Sequence, residues 1–98
     1  MPTDPVARAV AALRFRALGD ETRLLLLELL SPGERCVADL MDATGLGQSL
    51  VSHHLRTLRT AGLVHDRRDG RWIYYSLVDA ALTSLRATIF EIEKIPEA

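Results

Sequence analysis

The sequence predicts a mainly α-helical domain carrying one short β-hairpin, and three observations predict it. Apolar residues recur at helical spacing through most of the chain. Two short helical segments meet at a turn bracketed by glycines, Gly45-Leu46-Gly47. The period changes once, at Arg71–Leu77, to the alternation of a strand. With 98 residues, 48% of them hydrophobic and 26% charged, the expectation is one ordinary globular domain over 1–98. A domain this small gains stability by burying more surface against a partner.

Asp4-Pro5 reads as an N-cap followed by proline at the first helical position. Val6, Val10, Leu13 and Ala17 then mark a first helix that runs to about Leu18 and stops at Gly19. Asp20 caps a second helix, with Glu21 in its first turn facing the positive end of the helix dipole. Leu24 to Leu30 holds six leucines and Glu28. A helix apolar almost all round is expected at the centre of the core, and Ser31-Pro32-Gly33 ends it.

Val37–Thr44 makes a short third helix with Val37, Leu40 and Met41 inward. Gly45 supplies the left-handed residue that its C-terminus needs. A fourth helix spans Gln48–Thr60, burying Val51, Leu55 and Leu58 and ending at Ala61-Gly62. Leu63–Arg68 and Arg71–Leu77 form a hairpin around Asp69-Gly70, with Ile73, Tyr75 and Leu77 on one face. Asp79 is expected to cap a last helix, whose Leu82, Leu85, Ile89 and Ile92 fall at spacings of 3, 4 and 3. That seam is too short to stand alone as a coiled coil, so it packs on the first helix, on a second subunit, or on both. Two short helices joined by a tight turn and followed at once by a hairpin are a winged helix-turn-helix.

Several function classes are excluded. No run of about 18 uncharged apolar residues is present to span a membrane. Met1-Pro2-Thr3-Asp4 lacks the basic and apolar regions of a secretory signal. The one cysteine permits no internal disulfide and suits a reducing cytoplasm. The net charge of −1 is unusual for a nucleic-acid binder, but its distribution is not. Residues 48–71 hold five arginines against two aspartates, a net of +3 that leaves −4 for the rest.

With Val51, Leu55 and Leu58 buried, Gln48, Ser49, Ser52, His53 and Arg56 lie on the outer face of the fourth helix, as a helix entering a major groove requires. Gln48 can pair with adenine, Ser49 and Ser52 are short adaptable partners, and Arg56 can reach guanine or phosphate. The alternative is a plain solvated face. His54 borders the buried face and reads as a structural histidine. Arg67, Arg68 and Arg71 cluster at the hairpin tip, either to touch phosphate or the minor groove, or simply for solubility. Asp69 serves the turn, and Trp72 and Tyr74 serve hairpin packing.

The order of these pieces and four local strings resemble the ArsR/SmtB family of bacterial metalloregulatory repressors. The strings are Leu18–Leu24 (LGDETRL), Glu34–Leu40 (ERCVADL), Gln48–Leu55 continuing through Leu58–Val64, and Arg67–Arg71 leading to Tyr74–Leu77. The resemblance implies a homodimer through the first and last helices, with Val6, Val10, Leu13, Leu82, Leu85, Ile89 and Ile92 as interface candidates. It also implies repression of an operon until an inducer releases the protein from double-stranded DNA. Two copies would read an imperfect palindrome with half-sites about one helical turn, roughly 34–36 Å, apart.

The resemblance is incomplete at the inducer site. Cys36 stands at the first thiolate of the family's metal box in the third helix, but Ala38 stands where arsenic and heavy-metal versions have a second cysteine. Soft metals need several thiolates. The family's zinc site on the last helix fits Asp79 but meets Ala81, Ile92 and Ile95 at its other positions. Glu91, Glu93 and Glu97 read as solvated charges. Three readings of Cys36 stay open: a redox or electrophile switch, part of an unusual metal or metalloid site, or a small core residue. No cofactor is otherwise implied.

Two other classes compete. A winged helix that binds only proteins usually lacks a polar, arginine-bearing recognition face. A small thiol enzyme needs a histidine placed to activate Cys36 and room for a pocket, and the sequence offers neither, so the expectation is that the chain is not an enzyme. A regulator without a sensor of its own, responding through a partner, remains compatible with the residues.

Overall fold

The computed structural model describes residues 4–94. In chain order the elements are α1 (Pro5–Leu18), α2 (Glu21–Leu30), β1 (Arg35–Cys36), α3 (Val37–Thr44), α4 (Gln48–Thr60), β2 (Val64–Asp69), β3 (Trp72–Leu77) and α5 (Asp79–Glu93). The strands form one antiparallel sheet in the order β1-β3-β2. Sequence reading missed β1. Two residues are too few for alternation to show, and only the pairing of Arg35 with Tyr75 and Cys36 with Tyr74 defines them as a strand.

The helix starts follow from their caps. Asp4 Oδ1 accepts from the Ala7 N–H at 2.9 Å, and Asp20 Oδ2 accepts from the Arg23 N–H at 3.1 Å. Each satisfies a backbone donor that has no partner within its helix. At the far end of α1, Gly19 is not left-handed (φ −78°). Arg23 closes that end instead, donating Nε to Ala17 O and Nη2 to Arg16 O at 3.3 Å. Gly45 does adopt φ +71° and donates to Met41 O at 2.9 Å, so the turn into α4 is as predicted. Asp79 differs from expectation. Val78 is the N-cap of α5 and Asp79 its first residue, with no side-chain cap bond. Its charge there still faces the positive end of the dipole.

The hairpin loop also differs by one residue. Asp69 pairs with Trp72, so the two-residue connection is Gly70-Arg71 rather than Asp69-Gly70. Gly70 has φ +61°, and no non-glycine residue among those described has positive φ. Glycine at the first central position is what the type II′ hairpin turn demands.

The core gathers Leu26, Leu30, Leu40, Val51, Leu55, Leu58, Leu63 and Val64, all essentially inaccessible. Tyr75 joins them from β3, with Ile73 and Leu77 packed alongside. Helix α2 is less central than its composition implies. Leu26, Leu27 and Leu30 are buried, but Leu24 and Leu25 are exposed, because α2 packs on α1, α4 and β3 only from one side.

The molecule measures 53 × 23 × 22 Å, with a radius of gyration of 15.2 Å. A compact chain of this length would have about 13 Å. The elongation accompanies exposed apolar side chains on α1 (Val6, Val10, Leu13) and α5 (Ile89, Phe90, Ile92). Leu85 is not among them. It is buried in the core of its own domain, and Leu82 is half-buried against that core. Of the interface candidates these two pack inward, since α5 must first cover its own domain.

Candidate nucleic-acid interface

Helix α4 divides by face. Val51, His54, Leu55 and Leu58 are buried. Gln48, Ser49, His53 and Arg56 are exposed and Ser52 is half-buried. Gly47 caps α4 without a side chain, so no capping side chain occupies the first N–H groups of the helix, an arrangement that favours anions. Sequence reading missed Leu50, which is 45% exposed on the same first turn. An exposed apolar residue on a polar face offers contact to a thymine methyl.

His54 is structural, as expected. Its Nδ1 lies 3.3 Å from Arg23 Nη1. A guanidinium has only donors, so in this contact Nδ1 is the acceptor. Asp20 Oδ2 is 3.8 Å from the same nitrogen, beyond hydrogen-bond reach. His54 therefore ties α4 to α2 and is turned away from a groove. The Arg23 backbone N–H, more than any nearby charge, holds the Asp20 carboxyl below its ordinary range.

The wing arginines have separate roles. Arg67 is held: its Nε and Nη2 donate to the two carboxylate oxygens of Glu34 at 3.0 and 2.7 Å, and its guanidinium lies 4.6 Å from the Tyr74 ring centre. These bonds push the Glu34 carboxyl down and the Arg67 pKa up. In this geometry Arg67 braces the wing while about half of its side chain stays exposed. The acid partner that sets this role lies 33 residues away, so local sequence could not reveal it. Arg68 and Arg71 are exposed and have no carboxylate partner among the described residues. Arg71 lies over the Trp72 ring at 5.1 Å. Arg59 is paired with Asp66 at 3.2 Å.

The structure brings some predicted residues together and separates others. Gln48 and Ser52 share a groove of about 230 Å3 with Arg71, between α3 and the wing. His53 and Arg56 face the opposite side, towards α1. Cys36 is buried, precedes α3 and makes no capping bond. Among the described residues no three His, Cys, Asp or Glu side chains gather as metal ligands. Ala81, at a ligand position of the zinc site, is a buried core residue. Ile95 and Glu97 lie outside the described residues. No described helix is long and apolar enough to cross a membrane.

This geometry matches known proteins. Residues 20–66 match the model of the bacterial regulatory protein arsR family. The chain is 39% identical over 83 residues to an uncharacterized HTH-type transcriptional regulator of Methanocaldococcus jannaschii, covering 84% of this chain and 93% of that one. It is 45% identical over 84 residues to the HTH-type transcriptional regulator NmtR of Mycobacterium tuberculosis, covering 86% and 70%. It spans only about half the length of others, such as the arsenical resistance operon repressor of Escherichia coli, at 55%. Among solved structures, a possible transcriptional regulator for arsenical resistance superposes with a TM-score of 0.75 at 38% identity, over 85% of each chain. The winged helix-turn-helix, the exposed polar face of α4 and these relatives agree: the chain belongs to the ArsR/SmtB family of DNA-binding transcriptional repressors and is not an enzyme.

Proposed function

We propose that residues 1–98 act as one DNA-binding and dimerisation domain, a cytoplasmic repressor that holds an imperfect palindromic operator as a homodimer. The observation that carries this reading is the shared groove of Gln48, Ser52 and Arg71. It supports the reading because the exposed polar face of α4 and the basic wing lie side by side there, as two adjoining grooves of DNA require. Gln48, Ser49, Ser52, His53 and Arg56 form the contact set on α4, and Arg68 and Arg71 the set on the wing. Arg67 serves by bracing the hairpin.

The exposed apolar side chains of α1 and α5 support a pair of subunits joined there, centred on Val6, Val10, Leu13, Ile89 and Ile92. One helix and one wing neutralise few phosphates, and pairing doubles the number. A mobility-shift titration on the region upstream of its own operon tests the reading. A sequence-preferring complex that weakens steeply with salt supports it, and equal binding to unrelated DNA contradicts it.

Release by a metal, metalloid or thiol-reactive inducer through Cys36 completes the proposal. The burial of Cys36 favours a second reading, a regulator whose response does not pass through this thiol. Operator release by arsenite, zinc, cadmium and peroxide, compared between wild type and Cys36→Ser, separates them. A mutant that responds as wild type does removes Cys36 as the sensor.

A further inference from the structure

We infer that the groove between α1 and α4 seats backbone phosphates of the operator, so that the DNA-binding surface extends beyond the recognition helix to Arg16. The inference rests on the DNA-binding reading above. The groove has a volume of about 450 Å3 and is open to solvent; Arg16, Arg23, His53, Arg56 and Thr60 line it around an apolar floor that includes Leu13.

Its lining is basic, and the one carboxylate nearby, Asp20, acts on Arg23 rather than on Arg16 or Arg56. Arg23 is fixed in its wall by the carbonyls of Ala17 and Arg16. The guanidiniums of Arg16 and Arg56 have no carboxylate partner among the described residues, and no acid lines the groove. Yet the chain has thirteen acidic residues, and it pairs Arg59 and Arg67 with some of them. Arg16 and Arg56, like charges on one groove without a carboxylate of their own, repel one another, and an anion seated between them relieves that repulsion.

The position of the groove names the anion. An α-helix with its side chains is about 10–12 Å across, and the major groove is about 12 Å wide. A helix that fills it has a phosphate strand along each flank. On one flank of α4, Gln48 and Ser52 adjoin Arg71 of the wing. On the other, His53, Arg56 and Thr60 adjoin Arg16. The two sides of α4 thus each carry an unpaired arginine from a neighbouring element. An open trough suits a passing backbone better than it suits an enclosed small ligand.

Fluorescence anisotropy tests this with a duplex from upstream of its own operon and a scrambled duplex, each over a salt series. Arg16→Ala is expected to weaken binding to both duplexes by the same factor, and to make log K against log[salt] shallower by about 1 per subunit. Arg16→Lys should restore the slope. The Arg16 side chain takes no part in the α1–Arg23 bonds, so the melting temperature should not move. If wild type prefers its own duplex and Arg16→Ala leaves the slope unchanged, this inference is overturned and the DNA reading stands. Saturable binding of inorganic phosphate by the DNA-free protein, lost in Arg16→Ala while the salt slope stays put, also overturns it. If wild type shows no preference for its own duplex, the DNA reading itself fails.

Discussion

Arg67 grips Glu34 through two N–H···O bonds of 3.0 and 2.7 Å, fastening the wing to the loop ahead of β1. An arginine that the sequence offers to DNA is thereby made part of the frame. Replacing the carboxylate reverses that assignment. Glu34→Gln should speed hydrogen exchange at the hairpin amides, and should steepen the salt dependence of operator binding by about 1 per subunit as Arg67 becomes available to phosphate. An unchanged slope would mean that Arg67 stays off the DNA even when free.

The two depressed carboxyls contribute to the acid limb of stability. Asp20 and Glu34 are held below their ordinary values by the Arg23 N–H and by Arg67 respectively. The unfolded chain therefore binds more protons than the native one as pH drops. Their contribution is present above the usual carboxylate range, near pH 4, and is lost as pH falls through the lower native values. Thermal melts from pH 7 to pH 3 should show this decline, and Asp20→Asn, which keeps a capping oxygen, should flatten it. An equally steep limb in that variant would remove Asp20 from the account.

The two turn glycines should respond differently to alanine. Gly45 (φ +71°) has open space where a Cβ would sit, so Gly45→Ala carries only the left-handed strain, about 1–2 kcal/mol. At Gly62 (φ +76°) a Cβ would stand 3.1 Å from Arg14 Nη2, threatening the bond from Arg14 Nε to Ala61 O. Losing that bond adds about 1 kcal/mol. Urea unfolding should rank Gly62→Ala as the more damaging, and the reverse order would contradict the role given to Arg14.

Much of the fold was legible because its signals are local. The caps at Asp4 and Asp20, the left-handed Gly45 and the buried spacing of Val51, Leu55 and Leu58 each need only a few neighbouring residues. What was not legible depends on distant partners. Strand β1 exists only by pairing with β3, and the exposure of Leu24 and Leu25 reflects which side of α2 has neighbours. Leu85 reads as seam by spacing, but its own domain covers it. The site follows the same division. The outer face of α4 is visible in its periodicity, whereas Glu34 reclaiming Arg67 and Arg16 approaching α4 depend on the folded chain.

The pair of subunits is tested at α5. Ile92 is 63% exposed, so Ile92→Glu should leave the single chain folded while setting an unpaired charge in the proposed interface. Such burial costs several kcal/mol, so the dimer should weaken at least tenfold by sedimentation and operator affinity should fall with it. A variant that sediments as a dimer would move the interface elsewhere.

The recognition face is tested most sharply by its reading head. Gln48→Ala should relax discrimination at one base position in each half-site, by about 1–3 kcal/mol, without changing the salt slope. Arg56→Ala should weaken binding to all sequences and leave the melt intact. Wild-type affinity in Arg56→Ala would argue against its contact with DNA.

The most direct measurement is amide chemical-shift mapping of the labelled protein on adding a duplex from upstream of its own operon. The largest changes are expected across Gln48–Arg56 and at Arg68–Trp72, with Leu26, Leu30 and Leu40 quiet. Unmoved signals along α4 and the wing, or changes confined to the exposed leucines of α2, would contradict it.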